Sequence, residues 1–322
     1  MGKCPDSSGE RDGPTRSPAP SCALCAPFSE EETITPDIAA DAANPAGLDG
    51  IEFVEYATSR PQALGQLLEL LGFRPVARHR SREVILYRQG GMNIVVNAHG
   101  IRRVEEEALD PPAIAAIGLR VRDAAEAYRR AIDLGAWPVT SRVEVMELNI
   151  PAIHGVGASR IYFVDRYREF SIYSVDFVPI PGADPDPPAI AGLHWFGLVQ
   201  YVGPGRIEAW IEFYREFFGF HALPEEQHFG ILPKGRILKS PCGGIHLQLV
   251  APEAEAETEG LQRIGLGTPS VLDAVHALQE RGVEFYSSEN VRVEEAGALT
   301  RARLGGVMFE LVRDPSRGAS LR

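Results

Sequence analysis

Four stretches of this 322-residue chain carry apolar residues at three- and four-residue spacing and close at a glycine: "RPQALGQLLELLGF", "VRDAAEAYRRAIDLGA", "GRIEAWIEFYREFFGF" and "TPSVLDAVHALQERGV". That spacing predicts amphipathic helices, and a glycine past the last apolar residue suits the left-handed turn that ends a helix. The glycines are Gly72, Gly135, Gly219 and Gly282. Within each pair they stand 63 residues apart, and Gly219 follows Gly72 by 147 residues. A unit repeats, and then the pair of units repeats.

Each helix follows a strand-like stretch ("GIEFVEYA", "AAIGLRVRD", "LHWFGLVQYV", "GLQRIGLG") and precedes further ones such as "EVILYRQG", "RIYFVDRY", "GIHLQLV" and "GVMFELV". The order of one strand, a helix and three strands predicts an α+β fold of four tandem βαβββ units. The units form two domains, each a curved sheet around a cleft. Residues 1–46 are rich in Pro, Ser, Ala, Gly and charge, show no hydrophobic period, and are expected to be a disordered tail. The first domain then spans 47–178, the proline-dense 179–190 is a linker, the second domain spans 191–313, and 314–322 is a short tail. The acidic "APEAEAETEG" reads as a solvated connector.

Hydrophobic residues make up 44% of the chain, enough to supply a core for each domain. A net charge of −12 argues against nucleic acid or an anionic membrane surface as a partner, since either requires a basic footprint. There is no long apolar run, and "MGKCPDSSGERDGPTRSPAP" lacks the hydrophobic core of a signal peptide, so a cytoplasmic location is expected. Cys4, Cys22 and Cys25 lie in the tail and Cys242 stands alone, which leaves no disulfide framework for the folded part. The Cys-x-x-Cys of "SCALC" has neither a second pair nor a strand-to-helix setting, and is read as tail rather than as a zinc or redox site. Asp6 stands where a myristoylation signal requires Ser or Thr.

One strand carries an unexpected charge. "EGLQRIGLG" alternates inward and outward with Arg263 at its centre, and a guanidinium on a half-buried strand costs several kcal/mol unless it is paired. It needs a partner or a job.

"GLDGIEFVEYA", "HRSREVILYRQGGMNIVVNAH", "RVRDAAEAYRRAIDLGA" and "MELNIPAIHGVGASRIYFVDRY" resemble the amino-terminal domain of the 4-hydroxyphenylpyruvate dioxygenase family, within the vicinal-oxygen-chelate superfamily. The resemblance covers roughly residues 47–313, is dense in the first domain and thinner in the second, where the family keeps its active site. It implies iron(II) held by two histidines and a glutamate, with open positions for a 2-oxo acid and dioxygen, and conversion of the substrate to homogentisate. Matched onto this sequence, Gly197 stands at the first histidine's place and Arg263 at the second's. Gln262, a substrate-side residue in the family, is kept, and Glu310 keeps the carboxylate.

Glycine donates nothing to a metal, and arginine is always protonated with no lone pair to offer. The consistent reading is an Arg263–Glu310 ion pair in the former metal cavity, with no cofactor; iron(II) is the alternative. His194, three residues before Gly197, faces the opposite side of a regular strand and turns inward only through a bulge. His246 lies on a neighbouring strand. Either is a packed histidine or a recruited ligand; His154, His221 and His228 are assigned no chemistry. The family also has a longer connection in its fourth unit and a C-terminal helix covering the site. Here "LVRDPSRGASLR" follows Glu310, so a cleft more open to water is expected.

Three functions follow from this reading. The first is a dioxygenase-like protein with a degenerate iron site, binding a small anionic or aromatic, 2-oxo acid-like ligand through Arg263 and Gln262, with or without a metal-independent reaction. The second is an iron(II) dioxygenase of aromatic 2-oxo acids with recruited ligands. The third is a non-catalytic assembly partner. The resemblance also implies a homodimer or homotetramer.

Overall fold

The first repeat opens with "LDGIEFVEYA", strand β1 (Leu48–Ala57), buried along almost its whole length because the sheet is covered on both faces. Helix α1 (Pro61–Leu70) follows, started by a proline whose missing N–H costs nothing in the first turn. Strands β2 (Arg74–His79), β3 (Val84–Gln89) and β4 (Met92–Asn97) complete the unit. The second repeat is β5 (Ala113–Val121), α2 (Ala124–Asp133), β6 (Ala152–His154) and β7 (Arg160–Val164). A short helix α3 (Tyr173–Asp176) and strand β8 (Phe177–Pro179) lead out of it. The third repeat is β9 (His194–Tyr201), α4 (Ile207–Phe218), β10 (His221–Ala222), β11 (Arg236–Lys239) and β12 (His246–Val250). The fourth is β13 (Gly260–Thr268), α5 (Val271–Glu280), β14 (Gly297–Leu299) and β15 (Phe309–Arg313).

This computed structural model describes residues 43–98, 111–140, 148–168, 170–227, 229–230, 235–251, 259–288 and 292–315. The expectations for residues 1–42 with their cysteines, for 316–322, for most of the acidic connector and for His228 lie outside the described residues. Residues 43–46, assigned to the tail on sequence, belong to the folded body. Ala46 is buried, and Asn44 Oδ1 accepts the backbone N–H of Leu48 at 2.8 Å.

The four helix-closing glycines take positive φ as expected: +98° at Gly72, +92° at Gly135, +74° at Gly219 and +92° at Gly282. Among the described residues, the three strands expected after each helix appear in full only in the first and third repeats. In the second and fourth, the first of the three shrinks to an isolated bridge, Pro138↔Ile153 and Phe285↔Thr300.

The pairing pattern is duplicated. β1 is flanked by β4 in parallel and β5 antiparallel, with β7 parallel on β5. β9 is flanked in the same way by β12 and β13, with β15 parallel on β13. One register pair, Leu261↔Ile114, joins the two halves into a single sheet. Their cores merge as well: residues from all four of these longer helices fall in one hydrophobic cluster, and Arg281 caps the end of α1 by donating to the carbonyls of Glu69 and Leu70 at 2.7 and 3.0 Å. The proline-rich segment is strapped to the first half, with Gly90 N–H donating to Pro187 O at 2.7 Å and Gln89 Oε1 accepting Ile190 N–H at 2.9 Å. Among the described residues no helix is long and apolar enough to cross a membrane.

Candidate functional site

The register of the second half lines up four residues across four strands: His246 on β12, Gly197 on β9, Gly265 on β13 and Glu310 on β15. Residues directly paired across a sheet share a face, so the imidazole and the carboxylate flank two positions without side chains. Arg263, two residues before Gly265 and paired with Val199, is on that face too.

Arg263 Nε stands 3.2 Å from Glu310 Oε2, and the two residues are 5% and 4% exposed. The contact is one of charge rather than a well-aligned hydrogen bond, since Nε makes none of ordinary geometry. Glu310 is covered from the β10–β11 connection by Gly230, where a Cβ would collide with Oε1. Gly230 has φ +70°, so the close approach and the backbone conformation both call for glycine.

Two bulges reset the faces. The register passes from Gly265↔Gly197 to Leu266↔Trp195 and Gly267↔His194, so β9 has one extra residue at Phe196. This bulge carries His194 onto the face of Gly197, where a regular strand would have turned it away. Its ring is committed to oxygen partners, Nδ1 at 2.9 Å from Gly192 O and Nε2 at 3.1 Å from Asp314 Oδ2. A second irregularity lies at Gln262, between the pairs Leu261↔Gln200 and Arg263↔Val199. Gln262 does not line the cavity.

The match of Gly197 to the family's first histidine also meets an obstacle. A Cβ at Gly197 would run into the backbone carbonyl of His246, so no histidine fits there while β12 keeps its place. The histidine that β9 presents on this face is His194.

The cavity between these strands holds about 30 Å³, room for about one water. His246 stacks on Phe196 at 4.3 Å with the planes 9° apart, and Phe229 packs against both rings, 4.9 Å from His246 and 5.3 Å from Phe196. Burial, reinforced by Lys239, pushes the His246 imidazole down to about 4, so it is neutral at pH 7. Aromatic rings and Glu310 line what remains of the cleft. Arg263 itself lines none of it. His154 and His221 are exposed, and Cys242 Sγ lies 3.2 Å from Ser240 Oγ.

These residues do not fit iron(II). Among the described residues no three His, Cys, Asp or Glu side chains gather as a metal would require. The carboxylate that would hold the metal faces a fixed guanidinium, whose charge repels a dication. The β9 bulge is the one through which His194 was expected to turn inward, whereas Asp314, read as tail, and the irregularity at Gln262 had no signal in strand alternation.

Residues 193–317 match the glyoxalase/bleomycin resistance protein/dioxygenase superfamily, which fixes the class as a vicinal-oxygen-chelate fold. Residues 42–178 match the N-terminal domain family of hydroxyphenylpyruvate dioxygenase. Hemolysin VllY of Vibrio vulnificus is 38% identical over 266 residues, covering 76% of this chain and 74% of that protein. The 4-hydroxyphenylpyruvate dioxygenase of Pseudomonas aeruginosa is 34% identical, over 84% of this chain and 80% of the relative. The 3-dehydroshikimate dehydratase of the same species is 33% identical, over 85% of this chain and 47% of its own. Among solved structures, a xylose isomerase-like TIM barrel/4-hydroxyphenylpyruvate dioxygenase fusion protein superposes with a TM-score of 0.65 at 25% identity, covering 83% of this chain and 49% of that one. A mutant of 4-hydroxymandelate synthase from Streptomyces coelicolor shares the fold, with a TM-score of 0.64 at 17% identity, over 83% and 93%. The chain belongs to the 4-hydroxyphenylpyruvate dioxygenase-like family.

Proposed function

We propose that this protein is a member of the family in which a fixed ion pair has taken the place of the iron centre, and that it works by binding a small anionic or aromatic ligand rather than by activating oxygen. The observation that carries this reading is the buried Arg263–Glu310 pair. Dioxygenation of a 2-oxo acid needs a metal with three protein ligands and open positions for substrate and oxygen. Here the carboxylate is neutralised by a group that cannot ligate. With room for about one water, the second-half cavity admits an aryl 2-oxo acid only if Phe196 and Phe229 move apart. Arg263 then reaches a ligand carboxylate only by leaving Glu310.

A second reading, an iron(II) dioxygenase with recruited ligands, draws support from one feature: the bulge at Phe196 turns His194 to the face that carries Glu310. One assay separates the two. Purified protein supplied with 4-hydroxyphenylpyruvate, iron(II) and ascorbate should show no oxygen uptake above the iron-only control and form no homogentisate. Sustained substrate- and iron-dependent uptake would refute the binding reading in favour of the second.

A further inference from the structure

The first half repeats the architecture of the second, but its concave face is furnished differently. Two rows cross its central strands: Val95, Glu55, Ala116 and Arg160, and beside it Asn93, Phe53, Gly118 and Tyr162. Gly118 is glycine for a local reason, because the ring of Phe53 lies where its Cβ would be. Between these rows and the α3–β8 segment is a cavity of about 160 Å³, against about 30 Å³ in the second half. A cavity of about 150 Å³ is large enough to take up benzene. The first-half cavity accommodates a single aromatic ring, whereas the second accommodates about one water.

Its walls combine two kinds of group. Phe53, Tyr162, Tyr173 and Phe177 supply aromatic faces, with Phe53 and Tyr162 centroids 5.7 Å apart and Tyr173 edge-on to Phe177 at 5.7 Å. Arg160 supplies a cation. Glu55, 7% exposed, accepts from Arg160 Nη2 at 3.3 Å and from Asn97 Nδ2 at 2.9 Å, so the guanidinium is braced from behind while 34% of its side chain stays open. Arg160 is also packed over the Tyr162 ring at 5.9 Å. Arg82 lines the same cavity. Aromatic walls with an oriented, partly open cation are what a small ring bearing an anion requires.

We infer that the concave face of the first half is a binding site for a monocyclic aromatic carboxylate, with the ring among Phe53, Tyr162 and Phe177 and the carboxylate on Arg160. The site goes beyond the function proposed above and is independent of whether the second half holds a metal. Glu55 acts as a positioning residue: it fixes the guanidinium and leaves its outer edge for the ligand.

Benzoate is a suitable probe, with cyclohexanecarboxylate and benzyl alcohol as controls lacking the aromatic ring or the charge. Calorimetry on the full chain should show saturable benzoate binding, weaker binding of both controls, and a loss of at least about tenfold in Arg160→Gln, which removes the charge-assisted contact but can still donate to Glu55. Crystals soaked in benzoate locate the ligand without any variant, which keeps the test decisive if Arg160→Gln does not fold. Density beside Arg160 and Phe177 supports the inference. Density only beside Phe196 and His246, no density at millimolar benzoate, or undiminished binding by folded Arg160→Gln overturns it.

Discussion

Arg263 poses at the scale of one residue the question that the second half answers. A charge that the strand pattern could not explain has Glu310 3.2 Å away, both nearly sealed from solvent. Losing either partner strands the other, so Arg263→Ala and Glu310→Ala should each cost on the order of 3 kcal/mol in urea unfolding, while the double variant should cost much less than their sum. Additive effects would mean that the two charges do not depend on each other. His246 gives a second handle. Its folded pKa is depressed to about 4, so between pH 6.5 and 4 the unfolded chain binds the proton first. Stability from this residue is complete above pH 6.5 and is lost as the pH falls toward 4, by at most roughly 3 kcal/mol. His246→Phe, which keeps the stacking, should flatten that part of the pH–stability profile; an unchanged profile would show that His246 is not buried neutral. The need of Arg263 for a partner was legible in the sequence because burying charge is costly anywhere. The face of His194 was not, because a one-residue bulge reverses alternation and leaves no mark in composition.

Helices were the most legible elements, since their period and their closing glycines are local signals. Their starts differ, and the difference is testable. Asp123 accepts the N–H of Glu126 at 2.8 Å at the start of α2, whereas α1 and α4 begin without a side-chain cap. Asp123→Ala should therefore cost about 1 kcal/mol, read as a lowered urea midpoint with an unchanged slope. No loss would mean that water replaces the cap at no cost. Strands were less legible where pairing depends on distant residues. After α2, Pro138 forms an isolated bridge to Ile153, closed by Val139 N–H donating to Ala152 O at 3.0 Å and His154 N–H donating to Trp137 O at 2.9 Å, and Phe285 does the same with Thr300 in the fourth repeat. The first-half polar network was not read from the sequence, although Glu52 and Glu55 are buried charges on β1. Their partners, Arg120 on β5 at 2.6 Å and Arg160 on β7 at 3.3 Å, come from strands far along the chain.

In the whole molecule, the duplication read from glycine spacing reappears as two sheet halves with the same pairing and opposite furnishing. The half that corresponds to the family's catalytic domain carries the Arg263–Glu310 pair and a cavity of about 30 Å³, and the other a cavity of about 160 Å³. The central claim is that Arg263 holds the place of a metal beside Glu310. Anaerobic titration with iron(II), or with cobalt(II) followed by its absorption spectrum, tests it most directly on the intact chain. The wild type should show no saturable metal binding, and Arg263→His, which sets a second imidazole beside Glu310 on the face of His194, should gain affinity that His194→Ala in the same background removes. Stoichiometric metal binding by the wild type, abolished by Glu310→Ala, would contradict the claim.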